Sequence, residues 1–413
     1  MLLLFGCAPT QDEAKDADRN LNNTTTGFIY NAIPRNDNAR ISTQYSTAIN
    51  TFSVNLLREV YATSDFSGKN LVLSPFSVSR NLAVAAEATI GESKQQLLDA
   101  LGGQTALDHA KDALSQLLYA DNSVILQCAD ALWIDSTKYS LKTSFRDTVT
   151  SKYGVEVAGL DFGDVSKTVS TINNWVGTNT NNCINQMIGQ DDIDLLTVAF
   201  IANAIYFEAD WASPFDITKT EKQDFLAPAG VVSVDMMQSK YYHETYKTDT
   251  YENAKLYYGT NELDFFYLDL YMPTTITVSA FLENHCLSAL SSPHAPSHGC
   301  LKMPKFFFTT EVELIPMLKG LGIQGIFDPT KGELTEMING SSKDLHIKKI
   351  LHKAGIKTDE EGTKAYAATV SKVGATGIEP SPTVVIDNPF VYFIRAGENG
   401  LVLFAGVVND PGE

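Results

Sequence analysis

The chain has 413 residues, a formal net charge of −18, 44% hydrophobic residues and 19% charged residues. This composition is typical of a globular protein with an ample core, and it does not by itself require a division into domains. The acidic balance argues against a nucleic-acid partner, which normally requires a basic surface. No apolar run is long enough to form a membrane-spanning helix.

The amino terminus predicts an export signal. The segment Met1–Cys7 resembles the end of a bacterial lipoprotein signal, in which Cys7 would be acylated and would become the first mature residue. Its apolar part is very short and no lysine or arginine precedes it, so the alternative is a chance cysteine in a frayed terminus. Residues 8–43 are polar and predict a flexible tether, which leaves 44–413 for the folded domain. We expect an extracellular or cell-surface protein that a lipid on Cys7 would anchor to the outer membrane.

Helical and strand-like apolar patterns are mixed along the rest of the chain. In order, they predict a helix over Thr47–Tyr61, a helix ending at Gly102–Gly103, a strand over Ser123–Ile134, a helix over Thr168–Thr178, strands over Leu195–Phe207, Leu263–Met272 and Cys300–Phe308, and a helix over Val312–Gly320. The turn Gly397–Gly400 between the runs Pro389–Ile394 and Leu401–Val408 predicts a hairpin. Because regular βαβ alternation is lacking, the predicted fold class is α+β with large antiparallel sheets.

The cysteines and histidines do not predict a metal site or a catalytic site. A short segment contains the histidines and cysteines that could bind zinc: His285, Cys286, His294, His298 and Cys300. Their spacing matches no standard zinc site and two prolines interrupt it, so free thiols or a Cys286–Cys300 bridge are favoured over a metal. No phosphate-binding, dinucleotide-binding or hydrolase motif is present, and we expect no cofactor.

The stretch Asp359–Ile378 has an unusual pattern of side-chain sizes. After two acids and a glycine, it consists mainly of small residues until Pro380 and Pro382. If it formed a strand from Thr363 onward, one face would carry nothing larger than valine, and the other face would carry every aromatic or charged side chain. A loop that is never buried does not need this sorting. The pattern therefore predicts a loop that can become a strand inside a sheet.

Six segments together resemble the serpin family, and the resemblance covers residues 44–411. They are Asn70–Val78, Phe200–Phe207 with Trp211 and Pro214–Phe215, Met303–Phe306, His352–Ala354, Glu360–Thr363, and Asp387–Phe390 with Phe404–Asn409. The resemblance implies a single domain of three β-sheets and eight to nine helices, with a long exposed reactive loop at about 359–382. It also implies a protease inhibitor rather than an enzyme. In inhibitory serpins the protease cleaves this loop, which then inserts into the large sheet and carries the trapped protease with it.

The resemblance assigns roles along the loop. The residues that match the family's hinge are Glu361, Gly362, Thr363, Ala365, Ala367, Ala368 and Thr369. Lys364 and Tyr366 depart from the family pattern, but both lie on the face that the alternation sends to solvent, so neither should block insertion. The common spacing places the reactive bond fourteen residues after Gly362, at Thr376–Gly377. Ile378 and Lys372 are the alternatives for the residue before the cut.

The resemblance also places a polar cluster beneath the large sheet, where its central strands must part. The cluster comprises Ser74, Ser77, Asn203 and His352, and we expect its imidazole, hydroxyls and amide to satisfy one another. A serine beside a histidine could suggest hydrolysis, but no oxyanion element or orienting acid accompanies this pair. Trp211 lies where the family has its aromatic residue at the top of the sheet, although a simple core tryptophan explains it equally well.

The predicted function is therefore suicide inhibition of a serine protease by a monomeric protein. The small or β-branched side chains of Val373–Thr376 suit a shallow specificity pocket, so elastase-like or subtilisin-like proteases are the expected targets. Papain-like cysteine proteases are an alternative target class. A non-inhibitory surface binding protein built on the same fold is the alternative function.

Overall fold

The structure is a computed structural model that describes residues 2–7, 33–36, 38–121, 123–194, 197–259, 265–291, 297–331, 333–340, 345–363 and 382–412, with backbone only at 2–7 and 382–383. Ten α-helices lie within these residues. They are α1 (Thr43–Tyr61), α2 (Pro75–Ala88), α3 (Gly91–Leu101), α4 (Gln104–Asp108), α5 (Ala110–Leu117), α6 (Thr143–Tyr153), α7 (Val165–Asn179), α8 (Val278–Asn284), α9 (Cys286–Ser291) and α10 (Ile315–Gly320). None of them is long and apolar enough to cross a membrane.

The described residues also form eighteen strands. They are β1 (Leu2–Cys7), β2 (Leu71–Leu73), β3 (Tyr119–Ala120), β4 (Val124–Asp135), β5 (Glu156–Leu160), β6 (Ala199–Asp210), β7 (Glu221–Ala227), β8 (Gly230–Gln238), β9 (His243–Lys247), β10 (Tyr251–Tyr257), β11 (Phe266–Pro273), β12 (Ser297–Pro304), β13 (Phe306–Glu313), β14 (Ile350–Thr358), β15 (Gly362–Thr363), β16 (Pro382–Val385), β17 (Phe390–Ala396) and β18 (Leu401–Val408). They are grouped in two hydrogen-bonded sheets, so the α+β class is confirmed.

The first sheet has eight strands and contains the candidate site. Its long central strands are β4 and β6, which pair antiparallel, and β14, which pairs antiparallel with β13 at its outer edge. Both β1 and β15 lie between β6 and β14. Nearly every residue of β6 is buried, because α7 packs on one face of the strand and α2 packs with the second sheet on the other. This explains why its sequence is an apolar run rather than an alternating pattern.

The second sheet has ten strands and joins what the resemblance treats as two separate sheets. The connection is β12. Its first residues pair with β9 and its last residues pair with β8, so this one strand belongs to both halves. The predicted hairpin near the carboxyl terminus is confirmed as β17 and β18, with Gly397 and Gly400 both at positive φ in the turn.

Two predicted elements are each divided in the structure. The helix that we expected to run to Gly102 breaks at Thr89 and Ile90, and α3 restarts at Gly91 with φ of 63°. The predicted strand Cys300–Phe308 is two strands, β12 and β13, separated by Lys305. A glycine at positive φ and a proline at the end of β12 explain these breaks, since both disfavour continuation of a regular element.

The cysteine alternatives are resolved within the described part of the chain. Cys286 and Cys300 are both buried and neither belongs to a disulfide, so the bridge between them does not form. Cys128 and Cys183 are also free. No metal-binding group of histidine, cysteine or acidic side chains occurs among the described residues, which do not include His294.

Candidate functional site

The predicted hinge begins inside the first sheet. The backbone turns back after β14, where Asp359 N–H donates to the carbonyl of Gly362 at 3.1 Å. Gly362 and Thr363 then form β15, which pairs antiparallel with Thr358 of β14 on one side and with Ala209 and Asp210 of β6 on the other. The first two residues of the predicted mobile strand therefore already lie in the space between β6 and β14.

Gly362 is required by close backbone contact. A Cβ at this position would lie 2.1 Å from the carbonyl oxygen of Ala209 and 2.8 Å from the Cα of Asp210. No side chain fits at such distances without movement of β6 or withdrawal of the hinge. The close approach of β6 thus explains why this position of the hinge is a glycine in this chain.

Thr363 is buried, with 3% of its surface exposed, as the alternation of side-chain sizes predicts. Its hydroxyl lies 2.6 Å from the hydroxyl of Tyr258, whose ring stacks on Trp211 at 4.5 Å between centroids. The indole N–H of Trp211 donates to the carbonyl of Asp359 at 2.9 Å, and its backbone N–H donates to Glu361. Trp211 is therefore both a core residue and a direct support of the turn that leads into the hinge.

A buried carboxylate holds the other side of this turn. Glu360 is 5% exposed and accepts hydrogen bonds from Lys305 Nζ at 2.7 Å and from the Thr220 hydroxyl at 2.6 Å. Its backbone carbonyl accepts from the N–H of Phe215 at 2.9 Å. Because a buried charge is stable only with partners, these contacts fix the position from which the hinge starts.

The predicted gate cluster is divided between two strands. On the β14 side, His352 Nε2 accepts a hydrogen bond from the backbone N–H of Ser74 at 3.0 Å. The Ser74 hydroxyl donates to Leu403 at 2.9 Å and accepts from the N–H of Ser77 at 3.3 Å, which caps α2. All three side chains are fully buried, so their polar groups require such partners.

Asn203 on β6 has different partners from those expected. Its amide group donates to Asp130 Oδ1 at 2.8 Å and to Cys128 Sγ at 3.1 Å. Within the described residues it makes no hydrogen bond to Ser74, Ser77 or His352, so the expected single cluster is not what the structure shows. The reason lies in the sheet, because Leu4 of β1 pairs with Asn203 on one side and with His352 on the other.

Asp130 connects Asn203 to a buried arginine. Arg80 Nε donates to Asp130 Oδ2 at 3.0 Å, and Arg80 Nη2 contacts the same oxygen and donates to the carbonyl of Tyr153 at 2.8 Å. Both charged side chains are 2% exposed. Burial lowers the pKa of Arg80, but the charge and hydrogen bond of Asp130 together with nearby Cys128 and Tyr45 raise this pKa above its usual value. Burial raises the pKa of Cys128 to about 12. The guanidinium of Arg80 thus remains charged, and the thiol of Cys128 beside it remains protonated.

A further buried group, His243, lies against the aromatic cluster. Its ring stacks on Phe215 with 6.1 Å between centroids, and Phe215 in turn contacts Trp211. Only 7% of its surface is exposed, and Nε2 has no hydrogen-bond partner among the described residues. Burial lowers the pKa of His243 to about 4, so the ring is neutral at physiological pH.

We expect the stability of the protein to depend on this histidine between about pH 4 and 6.5. The unfolded chain binds a proton in this range and the folded chain does not, so the free energy of unfolding falls as the pH falls from 6.5 towards 4. His243→Phe should reduce the loss of unfolding free energy between pH 7 and pH 4.5 by about 2 kcal/mol. Chemical denaturation of both proteins at the two pH values measures the difference, and equal losses would contradict the assignment.

The remaining predicted site residues lie outside the described part of the chain. They are Thr376 and Gly377 of the reactive bond, and Ala365, Ala367, Ala368 and Thr369 of the hinge run. The backbone of Cys7 is described, and it pairs with Tyr206 as the last residue of β1.

Several residues that complete the site were not predicted from sequence. They are Arg80, Asp130, Thr220, His243, Tyr258 and Lys305. The partners Arg80 and Asp130 are 50 residues apart, and Tyr258 and Thr363 are 105 residues apart. One signal was available: Asp130 is an acid inside an otherwise strand-like run, and such a residue requires a buried partner.

Comparison with known proteins agrees with this architecture. The family model described as Serpin (serine protease inhibitor) matches residues 47–411. Serpin-Z10 of Arabidopsis thaliana is 32% identical over 384 residues, which cover 88% of this chain and 97% of the relative. Plasminogen activator inhibitor 1 of Sus scrofa is 28% identical over 374 residues, which cover 87% of this chain and 91% of that relative.

Solved structures show the same fold. Arabidopsis AtSerpin1 in its native stressed conformation has a TM-score of 0.77 and 26% identity, covering 91% of this chain and 100% of that chain. Human thyroxine-binding globulin has a TM-score of 0.77 and 24% identity, covering 90% and 100% respectively, a likeness that concerns the fold alone. The chain therefore belongs to the serpin family, a family of serine protease inhibitors rather than of enzymes.

Proposed function

We propose that this protein inhibits serine proteases as a suicide substrate. A protease cleaves the reactive loop at Thr376–Gly377 and forms an acyl-enzyme, and the freed loop then enters the first sheet between β6 and β14. The observation that carries this proposal is the pairing of β15 with both of those strands: Gly362 and Thr363 pair with β6, and Thr363 also pairs with β14. Insertion is thus the extension of a strand that has already begun.

The sequence of the loop supports the same mechanism. A strand that continues from Thr363 presents only small side chains to the face on which Thr363 is buried. Fourteen extended residues reach roughly 46–50 Å, which is enough to carry a bound protease along the sheet. Thyroxine-binding globulin supports the alternative of a binding protein on this fold, because its structure is a complex with thyroxine rather than with a protease.

The proposed targets are elastase-like or subtilisin-like proteases, with papain-like cysteine proteases as the second class. Val373, Gly374 and Ala375 precede the reactive bond, and their size suits a shallow specificity pocket. Cleavage after Lys372 would shorten the inserting strand, so trypsin-like enzymes should degrade the loop rather than become trapped. Lipidation of Cys7 and display on a cell surface remain part of the proposal.

Incubation with a panel of proteases tests the proposal. We expect a protein–protease adduct that survives boiling in detergent. We also expect a released carboxyl-terminal peptide whose measured mass identifies Gly377 as its first residue. A first residue of Glu379 would move the reactive bond to Ile378 without changing the mechanism. The trapping mechanism is wrong if every protease of the panel cleaves the loop and leaves no adduct, both with the full chain and with a variant lacking residues 2–7.

A further inference from the structure

The space between β6 and β14 holds a second strand that the proposed mechanism does not use. β1 runs parallel to both neighbours, and its register pairs Leu2 with Ile201 and Ile350, and Leu4 with Asn203 and His352. β15 is antiparallel to the same neighbours. The same space therefore receives one strand from each end of the sheet.

The two strands compete for the same pairing positions along β6 and β14. On β6, β1 pairs with residues as far as Tyr206, and β15 pairs with Ala209 and Asp210. Only Phe207 and Glu208 lie between these two sets of pairs. The hinge can therefore advance by about two residues before it meets Cys7.

The register shows which loop residues are displaced. If β15 continued in its present pairing with β6 and β14, residue 369 would lie opposite both Asn203 and His352. Leu4 holds this position. By the same continuation, Leu2–Cys7 occupy the positions of residues 366–371, which include three of the predicted hinge residues.

From this arrangement we propose that the amino-terminal segment Leu2–Cys7 is a built-in occupant of the insertion site and blocks the reactive loop. This inference rests on the proposed function, since it concerns the same space in the sheet. The site accepts an extended, uncharged segment: Leu2–Cys7 contains no charged residue, and β6 is buried on both faces. Backbone hydrogen bonds to two strands supply most of the binding, as in other cases of strand addition.

The block is displaceable, because the sheet that contains β1 leaves a polar side chain of β6 unsatisfied. The side-chain oxygen Oδ1 of Asn203 is buried and has no hydrogen-bond partner in the described part of the chain. Such a group weakens the state that contains it. Removal of residues 1–6 by the signal processing predicted before Cys7 would also empty the site, so the blocked form would be the unprocessed chain.

Hydrogen exchange on the uncleaved protein tests whether the segment is seated. In the full chain we expect the amides of residues 3–7 to exchange at least about 100-fold more slowly than those of an unstructured peptide. Leu4→Pro should remove this protection, because proline lacks the N–H and opposes pairing in a central strand. The matched variant Leu4→Ile should keep it. Exchange of residues 3–7 at the unstructured rate in the full chain would overturn the proposal.

The rate of loop insertion tests whether the segment blocks. After cleavage of the loop by subtilisin, a variant lacking residues 2–7 should gain thermal stability about tenfold faster than the full chain, and Leu4→Pro should behave like the deletion. If residues 3–7 are protected from hydrogen exchange but the full chain and the deletion variant gain stability at equal rates, the segment does not block insertion. If cleavage stabilises neither protein, the proposed insertion mechanism itself fails and the block with it, whereas the exchange data still show whether β1 is seated.

Discussion

Thr363→Arg is expected to convert the inhibitor into a substrate. The loop of this variant should still be cleaved at the normal rate, but the yield of detergent-resistant adduct should fall by at least about tenfold. A delay of insertion that corresponds to only about 1.4 kcal/mol in the barrier changes the partition between trapping and release by this factor.

The physical reason is the burial of Thr363 between β6 and β14. Its side chain is 3% exposed and its hydroxyl lies 2.6 Å from that of Tyr258. Arginine at this position would place an unpaired charge beside the stacked rings of Tyr258 and Trp211, where burial without a carboxylate partner is costly. The hinge is then expected to leave the sheet. Because insertion begins at the hinge, the loop should insert more slowly.

Thr363→Ser is the matched control, because it keeps the hydroxyl contact and the small volume. It should form adduct as the parent does. Densitometry of the adduct and of the cleaved inhibitor gives the ratio of trapping to release. An adduct yield that is unchanged in Thr363→Arg would contradict the role of the hinge.

Asp130→Leu is expected to cause the largest loss of stability of any single substitution discussed for this protein. The change leaves Arg80 buried at 2% exposure without its carboxylate, and it removes an acceptor of Asn203. Loss of one partner from a buried ion pair costs about 3–5 kcal/mol. For a domain of this size, the thermal midpoint should fall by roughly 5 °C.

Two controls separate the charge effect from simple loss of packing. The double variant Arg80→Leu with Asp130→Leu should recover most of the stability, because no uncompensated charge remains. Lys222→Ala removes an exposed pair with Asp235, 3.1 Å apart, and should cost less than about 1 kcal/mol. Chemical denaturation measures all four proteins. A double variant no more stable than Asp130→Leu would contradict the account of this pair.

The sequence predicts the parts of this fold that rely on local pattern. The helix α1 has its apolar residues at helical spacing, and the hairpin of β17 and β18 has its glycines where the turn requires positive φ. The buried strand β6 is a continuous apolar run. The side-chain alternation after Gly362 also predicts the burial of Thr363 correctly.

Features that rely on distant contacts could not be read in the same way. The strands β7–β10 were not predicted, because they combine polar and apolar residues without a continuous apolar run. Two of them, β8 and β9, also pair with β12, which lies far away in the chain. The sequence predicts that Asn203 and His352 lie in one cluster. In the structure a strand lies between them, and Asn203 donates a hydrogen bond to Asp130 instead. That strand is Leu2–Cys7, whose short apolar sequence predicted only a signal. The local pattern of a segment does not predict which strands it will pair with.

The most direct test of loop insertion is thermal unfolding before and after cleavage within residues 364–381. It should be measured on the full chain and on the variant lacking residues 2–7. A strand of about fourteen residues that forms hydrogen bonds to two neighbours, each worth about 1 kcal/mol, should raise the midpoint by at least about 10 °C. We predict this rise at equilibrium in both proteins. An unchanged midpoint in both would show that the cleaved loop stays outside the sheet, and would support a binding protein instead of a trapping inhibitor.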